Sequence, residues 1–298
     1  MQQLMECIPN ISEGIRTEVV EAIVDTVRST AGVTLLDYSS DPSHNRTVIT
    51  FLGEPTAVAA AAFALTKAAR DHIDLTQHKG EHPRMGAVDV IPFVPVKGIT
   101  MEECVEYSKQ LARRIGEELE IPVFLYENSA SAPHRKNLAA IRKGQFEGMA
   151  EKVLEEKWCP DFGGARIHPT AGVVAVGARP PLVAYNINLN TADVSVANRI
   201  AKIIRESSGG LRAVKALGVY LEDRNLAQVS INMCDFRQTP LYRVMELVRI
   251  EAARYGVQVI GSEIIGLAPM DALIESAAYY LQLEDFKTND QVLENRLL

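Results

Sequence analysis

The sequence predicts an α/β protein of the α+β kind, built from two ferredoxin-like βαββαβ subdomains whose mixed sheets carry their helices on one face. The same order of apolar segments occurs twice along the 298 residues. Each half alternates β-branched runs with helical periodicity. The length also favours two units, because single cores stop growing near ~250–300 residues. We place the subdomains at residues 1–179 and 180–298, with Pro180-Pro181 as the linker.

The first half predicts strand, helix, strand, strand, helix, strand. Its apolar runs and helical stripes fall at residues 4–8, 17–28, 33–38, 46–52, 55–70 and 88–96. Pro55 suits a first helical turn, since proline has no amide hydrogen to satisfy there. Pro92 and Pro95 within the last strand favour an edge or bulged strand.

The second half repeats that order. Its segments fall at residues 182–189, 194–205, 214–221, 227–233, 240–255 and 257–260. Thr239 before Pro240 predicts a capped helix start. Between the halves, Thr100 and Glu103 form a capping-box pattern that predicts a helix from about residue 101 to 119, followed by a strand at 123–126 and two short helical pieces.

Composition narrows the classes of function. The formal charge of −7 and the pI near 5.5 disfavour nucleic acid as the main partner. The amino terminus lacks the pattern of a secretory signal, and no apolar run approaches the ~20 residues of a membrane span, so we expect a cytoplasmic protein without a membrane partner. Four scattered cysteines, none in a CxxC pair, predict buried structural thiols: Cys7, Cys104, Cys159 and Cys234.

The densest cluster of reactive residues is HKGEHPRMGAVD at residues 78–89. One hypothesis is a zinc hydrolase, because His78, Glu81 and His82 follow the H-x-x-E-H order. That motif needs a helix, so that both imidazoles reach one metal ion. Gly80 and Pro83 disfavour a helix at this position.

The second hypothesis makes His82 a general acid/base. An imidazole with a pKa near ~6.5 can take and return a proton at neutral pH. Glu81 and Arg84 beside it, in a loop between a helix and a strand, favour a functional role over a histidine that only bonds a turn.

Five motifs occur in a fixed order along the chain: MECIPNISEG (5–14), NRTVITFLG (45–53), HKGEHPRMGAVDVIPFVPVKG (78–98), PDFGGA (160–165) and NLAQVSINMCDF (225–236). In these motifs the chain resembles the glutamate formiminotransferases, the formiminotransferase half of the bifunctional formiminotransferase-cyclodeaminase family. The resemblance covers essentially the whole sequence and not the deaminase half, which implies a monofunctional enzyme.

The resemblance implies transfer of the formimino group from N-formimino-L-glutamate to tetrahydrofolate, a step of histidine degradation that yields 5-formiminotetrahydrofolate and L-glutamate. It implies tetrahydrofolate as co-substrate, no metal, and a homodimer whose N- and C-terminal subdomains hold the folate between them. The family's essential histidine falls on His82. The family's folate-binding stretch falls on Gly163, Gly164, Ala165, Arg166, Ile167, His168, Pro169, Thr170, Ala171 and Gly172.

The chemistry of that reaction suggests further site residues. The formimino group is cationic near neutral pH, so a carboxylate such as Asp41 or Glu81 would orient it. Both substrates carry carboxylates, which the planar fork of arginine binds in two places at once. Arg46, Arg84 and Arg166 are the candidates for that role.

Four alternatives stay open from the sequence. The donor could be formiminoglycine, or the enzyme could be a 5-formyltetrahydrofolate cycloligase, although no GxxxxGK[ST] nucleotide loop is present. The zinc hydrolase is the third. A folate-binding protein without catalysis is the fourth.

Overall fold

A computed structural model describes the backbone of residues 3–297 and the side chains of residues 3–295. Residues 1, 2 and 298 of the predicted subdomains lie outside the described residues. The chain divides into two compact units between Arg179 and Pro180, and each unit has its own hydrophobic core. In each unit a sheet packs against helices, which confirms the predicted fold class.

The first unit contains seven strands and five α-helices among its described residues. The strands are β1 (Leu4–Cys7), β2 (Asn10–Ile11), β3 (Val33–Asp41), β4 (Arg46–Gly53), β5 (Val88–Lys97), β6 (Val123–Glu127) and β7 (Val174–Ala178). The helices are α1 (Thr17–Arg28), α2 (Pro55–His72), α3 (Met101–Glu118), α4 (Leu138–Arg142) and α5 (Gln145–Lys152).

The first sheet has the ferredoxin-like strand order, with an extension. β1 and β2 lie antiparallel between β4 and β5, and β3 pairs with the outer side of β4. β7 adds to β5 in parallel and β6 adds to β7 in parallel. The extension follows the capping box of α3, in which Glu103 N donates to Thr100 Oγ1 over 3.2 Å and Thr100 N donates to Glu103 Oε2 over 2.7 Å. This confirms the predicted start of that helix.

The strand β5 is central in the sheet and is irregular along one side, so the edge alternative is wrong and the bulged alternative is confirmed. It pairs with β1 and β2 on one side and with β7 on the other, with register shifts along the β1–β2 side. Pro92 lies opposite the break between β1 and β2, where its carbonyl accepts the Ile8 amide over 3.3 Å. The break in the partner strand therefore accommodates a residue that has no amide hydrogen to donate.

The second unit is a four-stranded antiparallel sheet in the order β11-β8-β10-β9. Its elements are β8 (Val183–Leu189), α6 (Val194–Ile204), β9 (Val214–Leu221), β10 (Leu226–Met233), α7 (Leu241–Ala253), β11 (Val259–Ile265), α8 (Met270–Leu281), α9 (Thr288–Gln291) and α10 (Leu293–Leu297). The prediction that Thr239 caps α7 is wrong. Its hydroxyl donates to the Arg212 carbonyl over 2.7 Å and so joins two loops.

The cysteines divide into two groups. Cys7 and Cys104 are buried, as expected for structural thiols, whereas Cys159 is exposed and Cys234 is half-buried. The prediction of four buried thiols is therefore wrong for the last two, which lie in loops outside the sheets. Within the described part of the chain, no helix combines the length and apolarity that a membrane crossing requires.

Candidate active site

Most of the predicted site residues lie in or beside one loop, residues 73–87, between α2 and β5. The loop rests on the turn between β3 and β4: Glu81 N donates to the Ser43 carbonyl over 3.1 Å, and His82 N donates to the His44 carbonyl over 3.4 Å. Gly80 permits this approach, because a Cβ atom there would lie 2.5 Å from the His44 carbonyl oxygen. The sequence thus brings two distant loops into backbone contact around His82.

Asn45 ties three loops together at this point. It ends the β3–β4 turn in the left-handed region, with φ of 48°. Its Oδ1 accepts the Gly14 amide over 2.8 Å, and its Nδ2 donates to the Lys79 carbonyl over 2.9 Å. The β2–α1 loop, the β3–β4 turn and the loop at 73–87 are therefore held by a single side chain.

His82 is buried, at 4% exposed, and faces a carboxylate. Its Nε2 lies 3.5 Å from Asp89 Oδ2, too far for a well-formed hydrogen bond, and bonds to no other described residue. Asp89, at the start of β5, has no exposed surface. Its Oδ1 accepts the Met85 amide over 2.9 Å and its Oδ2 accepts Arg142 Nη2 over 2.5 Å.

This environment fixes the charge of both groups. Burial lowers the pKa of His82, Asp89 opposes that shift, and the cations of Arg142 and Arg46 lower the pKa further. Burial acts to raise the pKa of Asp89, but His82, Arg142 and the Met85 amide lower it below its ordinary value. At neutral pH the pair is therefore a neutral imidazole beside an ionised carboxylate.

Two arginines near His82 keep unpartnered donors. The Nε atoms of Arg46 and Arg142 are buried and form no hydrogen bond with any residue the structure describes. Burial lowers the pKa of Arg46, which Asp41 and Asp89 oppose and Arg142 reinforces. Both side chains are half-buried, and Arg142 already pairs with Asp89. A buried donor without an acceptor costs free energy, which a ligand anion beside the guanidinium could recover.

Asp41, predicted as a carboxylate for the cationic group, ends β3 directly opposite Arg46 in the strand register. It accepts the backbone amide of His44 over 3.0 Å and lies 2.7 Å from His44 Nδ1. These contacts, the His44 amide first, lower the pKa of Asp41. Both side chains are partly exposed, so the structure brings an ionised, accessible carboxylate to the same turn that supports His82.

Arg84 is buried, and protein groups occupy its donors. It donates to both carboxylate oxygens of Glu147 over 2.9 and 2.6 Å, to Gln145 Oε1 over 3.1 Å and to His78 Nδ1 over 3.2 Å. In this arrangement Arg84 joins α5 to the loop. A role toward a substrate carboxylate stays a prediction.

The H-x-x-E-H segment is not helical. His78 uses both ring nitrogens, Nε2 with the Asn45 carbonyl at 3.0 Å and Nδ1 with Arg84, and the Glu81 side chain is exposed. Among the described residues, no three histidine, cysteine or acidic side chains form a group suited to a metal ion. The zinc hypothesis therefore lacks the shared helical face that its motif requires.

The predicted folate-binding stretch has two parts. Residues 163–166 are exposed, and Gly163 and Gly164 have positive φ values of 83° and 76°. Residues 167–172 form a tight loop in which His168 and Gly172 exchange backbone hydrogen bonds of 3.0 Å. This second part borders the His82 loop, because Ala87 N donates to the Ala171 carbonyl over 2.9 Å.

Sequence reasoning missed Asp89 and Arg142. Arg142 ends the short helix α4, 53 residues from Asp89, and no local pattern connects them. One signal was available for Asp89: a single charged residue in the otherwise apolar run VDVIPFV is costly to bury unless it has a partner. A neutral imidazole beside an ionised carboxylate, with two guanidinium groups close by, has the chemistry needed for acid–base catalysis on an anionic substrate.

Comparison with known families identifies the enzyme further. The family model described as "Formiminotransferase domain, N-terminal subdomain" matches residues 4–179, and the model "Formiminotransferase domain" matches residues 184–296. The chain therefore belongs to the formiminotransferase family. The resemblance expected from the five motifs is confirmed.

Curated relatives agree with this assignment. A "Glutamate formimidoyltransferase" of Streptococcus pyogenes serotype M1 is 61% identical over 298 residues, which cover 100% of both chains. A protein of that name from Thermoplasma acidophilum is 49% identical over 99% of this chain and 97% of its own. The "Formimidoyltransferase-cyclodeaminase" of Mus musculus is 46% identical over 95% of this chain, which spans about half (53%) of that longer protein.

Proposed function

We propose that this protein transfers the formimino group from N-formimino-L-glutamate to tetrahydrofolate, with His82 as general acid/base. The observation that carries the proposal is the buried His82–Asp89 pair beside the unpartnered donors of Arg46 and Arg142. The names of the full-length relatives support the choice of donor and acceptor. Tetrahydrofolate enters as a co-substrate.

The reaction requires the net transfer of one proton from N5 of tetrahydrofolate to the nitrogen of glutamate. The secondary amine N5 of tetrahydrofolate attacks the formimino carbon and forms a tetrahedral adduct in which N5 carries an extra proton. That proton leaves N5, the glutamate nitrogen gains a proton, and the bond from the carbon to the glutamate nitrogen breaks. The products are the formimino cation on N5 and a neutral amine, which takes a proton from water.

His82 can serve both proton transfers. Its pKa is lowered, chiefly by burial, so that it is neutral and able to accept the N5 proton at neutral pH. We assign the transfer to Nδ1, because Nε2 faces Asp89. In the imidazolium form the Nε2 proton would face the ionised carboxylate, which stabilises the cation until the proton passes to the leaving nitrogen.

Charged groups around His82 match the charges of the donor. Arg46 and Arg142 would bind a donor carboxylate through the donors that the protein leaves unpartnered. Asp41 and the exposed Glu81 would offset the cationic formimino group, and Arg84 would hold the loop through Glu147. The folate would lie along residues 163–172, of which 167–172 border the loop.

The proposal includes further expectations from the family resemblance. We expect a homodimer in the cytoplasm, with residues 1–179 and 180–298 as the N- and C-terminal subdomains. Size-exclusion chromatography with light scattering measures the assembly. Expression of residues 1–179 alone, followed by circular dichroism, measures whether the first subdomain folds independently.

The test is transfer to tetrahydrofolate by the purified full chain with formiminoglutamate, and with formiminoglycine in parallel, each with and without a chelator. We expect turnover with formiminoglutamate that the chelator leaves unchanged. Turnover only with formiminoglycine would replace the donor, and loss of activity with the chelator would restore the metal hypothesis. ATP-dependent conversion of 5-formyltetrahydrofolate would indicate the cycloligase, and folate binding without any turnover would indicate a binding protein.

The pH profile tests the role of His82 directly. A base must be unprotonated to act, so kcat/KM falls as pH decreases through the pKa of His82 in the free enzyme. Because burial lowers that pKa, the acid limb should lie below the ordinary histidine value of ~6.5. An acid limb well above that value would contradict the proposed environment of His82.

A further inference from the structure

Lys152 is a buried lysine at the end of α5 whose ammonium group binds backbone carbonyls. Its Nζ donates to the carbonyls of Ala140 over 2.8 Å, Ile141 over 2.5 Å and Lys143 over 2.8 Å. These three carbonyls surround Arg142 along the chain. The side chain of Lys152 therefore holds the end of α4 at the residue that pairs with Asp89.

The helix α4 needs such a group. It has only five residues, too few to satisfy its own terminal carbonyls by continued helical hydrogen bonding. A buried ammonium supplies three donors at once and interacts favourably with the negative end of the helix. The ring of Trp158 lies 4.3 Å from Nζ and covers the ammonium group.

Burial makes the charged form of Lys152 less favourable. Burial lowers the pKa of Lys152 to about 8, with Glu155 opposing the shift and Lys143 adding to it. The hydrogen bonds described for this ammonium all go to backbone carbonyls, with no carboxylate among its described partners. The three hydrogen bonds to carbonyls therefore stabilise the charged side chain in its buried position.

We propose that Lys152 is a positioning residue for the transfer reaction: by fixing the carbonyls around Arg142 it keeps the Arg142 guanidinium on Asp89, the carboxylate that faces His82. This inference rests on the proposed function and extends it to a residue that does not touch the substrates. The charged groups that shift the pKa of His82 are Asp89, whose carboxylate faces the ring, and the cations of Arg142 and Arg46. Lys152 acts on the second of them.

The direction of the effect follows from these charges. Arg142 lowers the pKa of His82 directly. Its ion pair also offsets the charge of Asp89, the carboxylate that raises the pKa of His82. When Arg142 moves away, His82 loses a repulsive cation and faces an unpaired carboxylate. The pKa of His82 should then rise.

The experiment uses the Lys152→Met variant of the full chain. We expect kcat/KM to fall roughly tenfold, the lower end of the ~10–100-fold losses seen when a residue that orients a metal ligand is replaced. We also expect the acid limb of the pH profile to move to higher pH. A fall in rate without that movement would indicate a structural role only and would overturn the proposal.

Matched variants distinguish the positioning role of Lys152 from effects of lost charge or lost stability. Lys143→Met removes a cation from the same segment, and because the Lys143 side chain is exposed it should leave the rate and acid limb unchanged. Lys152→Gln, which keeps two donors without the charge, should fall between wild type and Lys152→Met, and it serves if the methionine variant does not fold. An acid limb equally displaced in Lys143→Met would overturn the proposal.

A second readout does not depend on turnover. The titration midpoint of the His82 ring, followed by NMR of the imidazole resonances in the wild type and in Lys152→Gln, should be higher in the variant. An unchanged midpoint would overturn the proposal even in an active enzyme. Absence of transfer by the wild type would refute the proposed function instead, and the NMR comparison would still decide the role of Lys152.

Discussion

The two units of the chain follow the same path through a βαββαβ order, yet among the residues that the structure describes, a buried acid–base pair occurs in the first alone. Their equivalent hairpins even end alike: the turn before β4 ends at Asn45 and the turn before β10 ends at Asn225, with φ values of 48° and 50°. Asn45 binds two other loops. Within the described part of the chain, the Asn225 side chain accepts one hydrogen bond, from the nearby Tyr220 hydroxyl over 2.7 Å.

The difference arises in what each unit adds to the common scaffold. The loop before the last strand spans residues 73–87 in the first unit and only residues 254–258 in the second. The first unit also inserts α3 to α5, with β6 and β7, between its last ferredoxin-like strand and its end. The longer loop supplies His82 and the insertion supplies Arg142, whereas Asp89 and Arg46 lie on strands of the shared fold. The site therefore forms where the additions meet the common scaffold.

Buried carboxylates give the sharpest test of this comparison. Asp89→Ala leaves the partly buried Arg142 without its partner. Removing one partner of a buried ion pair typically lowers the free energy of unfolding by about 3–5 kcal/mol, and we expect a loss in that range. Glu251→Ala in α7 removes a carboxylate whose partner Arg254 is 64% exposed, so we expect a loss of about 1 kcal/mol or less. Urea denaturation measures both.

Transfer activity should follow the same contrast. Asp89→Ala should lose most activity even at temperatures where it is folded, whereas Glu251→Ala should keep it. Equal losses of stability and activity in the two variants would show that Asp89 is an ordinary structural carboxylate.

Glycine substitutions should give the next largest difference. Gly80→Ala forces a Cβ atom against the His44 carbonyl, and overpacking of this kind costs about 1–3 kcal/mol. Gly261→Ala in β11 meets no atom within 4 Å and should change stability by less than about 0.5 kcal/mol. Thermal unfolding and transfer assays measure the pair, and a silent Gly80→Ala would contradict the close packing of the two loops.

The two turn asparagines should give a difference in stability no larger than that of the two glycines. Asn45→Gly keeps the left-handed turn but leaves the buried Gly14 amide without an acceptor, at a cost of about 1–3 kcal/mol. Asn225→Gly loses one exposed hydrogen bond and should cost less than about 0.5 kcal/mol. Differential scanning calorimetry measures the change in Tm for each variant. Equal changes in Tm would contradict the comparison.

The sequence predicts the repeated scaffold because that scaffold depends on local patterns. The capping box of α3, the proline at the start of α2 and the apolar periods all act within a few residues. The strand β7 was missed because a short, fully buried apolar run after a glycine- and proline-rich segment lacks a period that distinguishes it. The edge position expected for β5 failed because the proline is accommodated by a break in another strand.

The site residues also divide into those that local sequence patterns predict and those that depend on distant contacts. His82, Asp41 and Arg46 were predictable, because they lie in motifs and loops of reactive residues. Asp89–Arg142 and Lys152 were not, because their contacts join segments far apart in the chain. Only packing of the insertion against β5 brings them together.

The most direct test of the central claim compares the wild type with His82→Ala, measuring transfer at saturating substrates and folate binding separately. We predict that kcat falls by ~10²–10⁴-fold, the usual contribution of a general acid/base, while the folate dissociation constant stays nearly unchanged. A variant that binds folate and transfers the formimino group at close to the wild-type rate would contradict the role of His82.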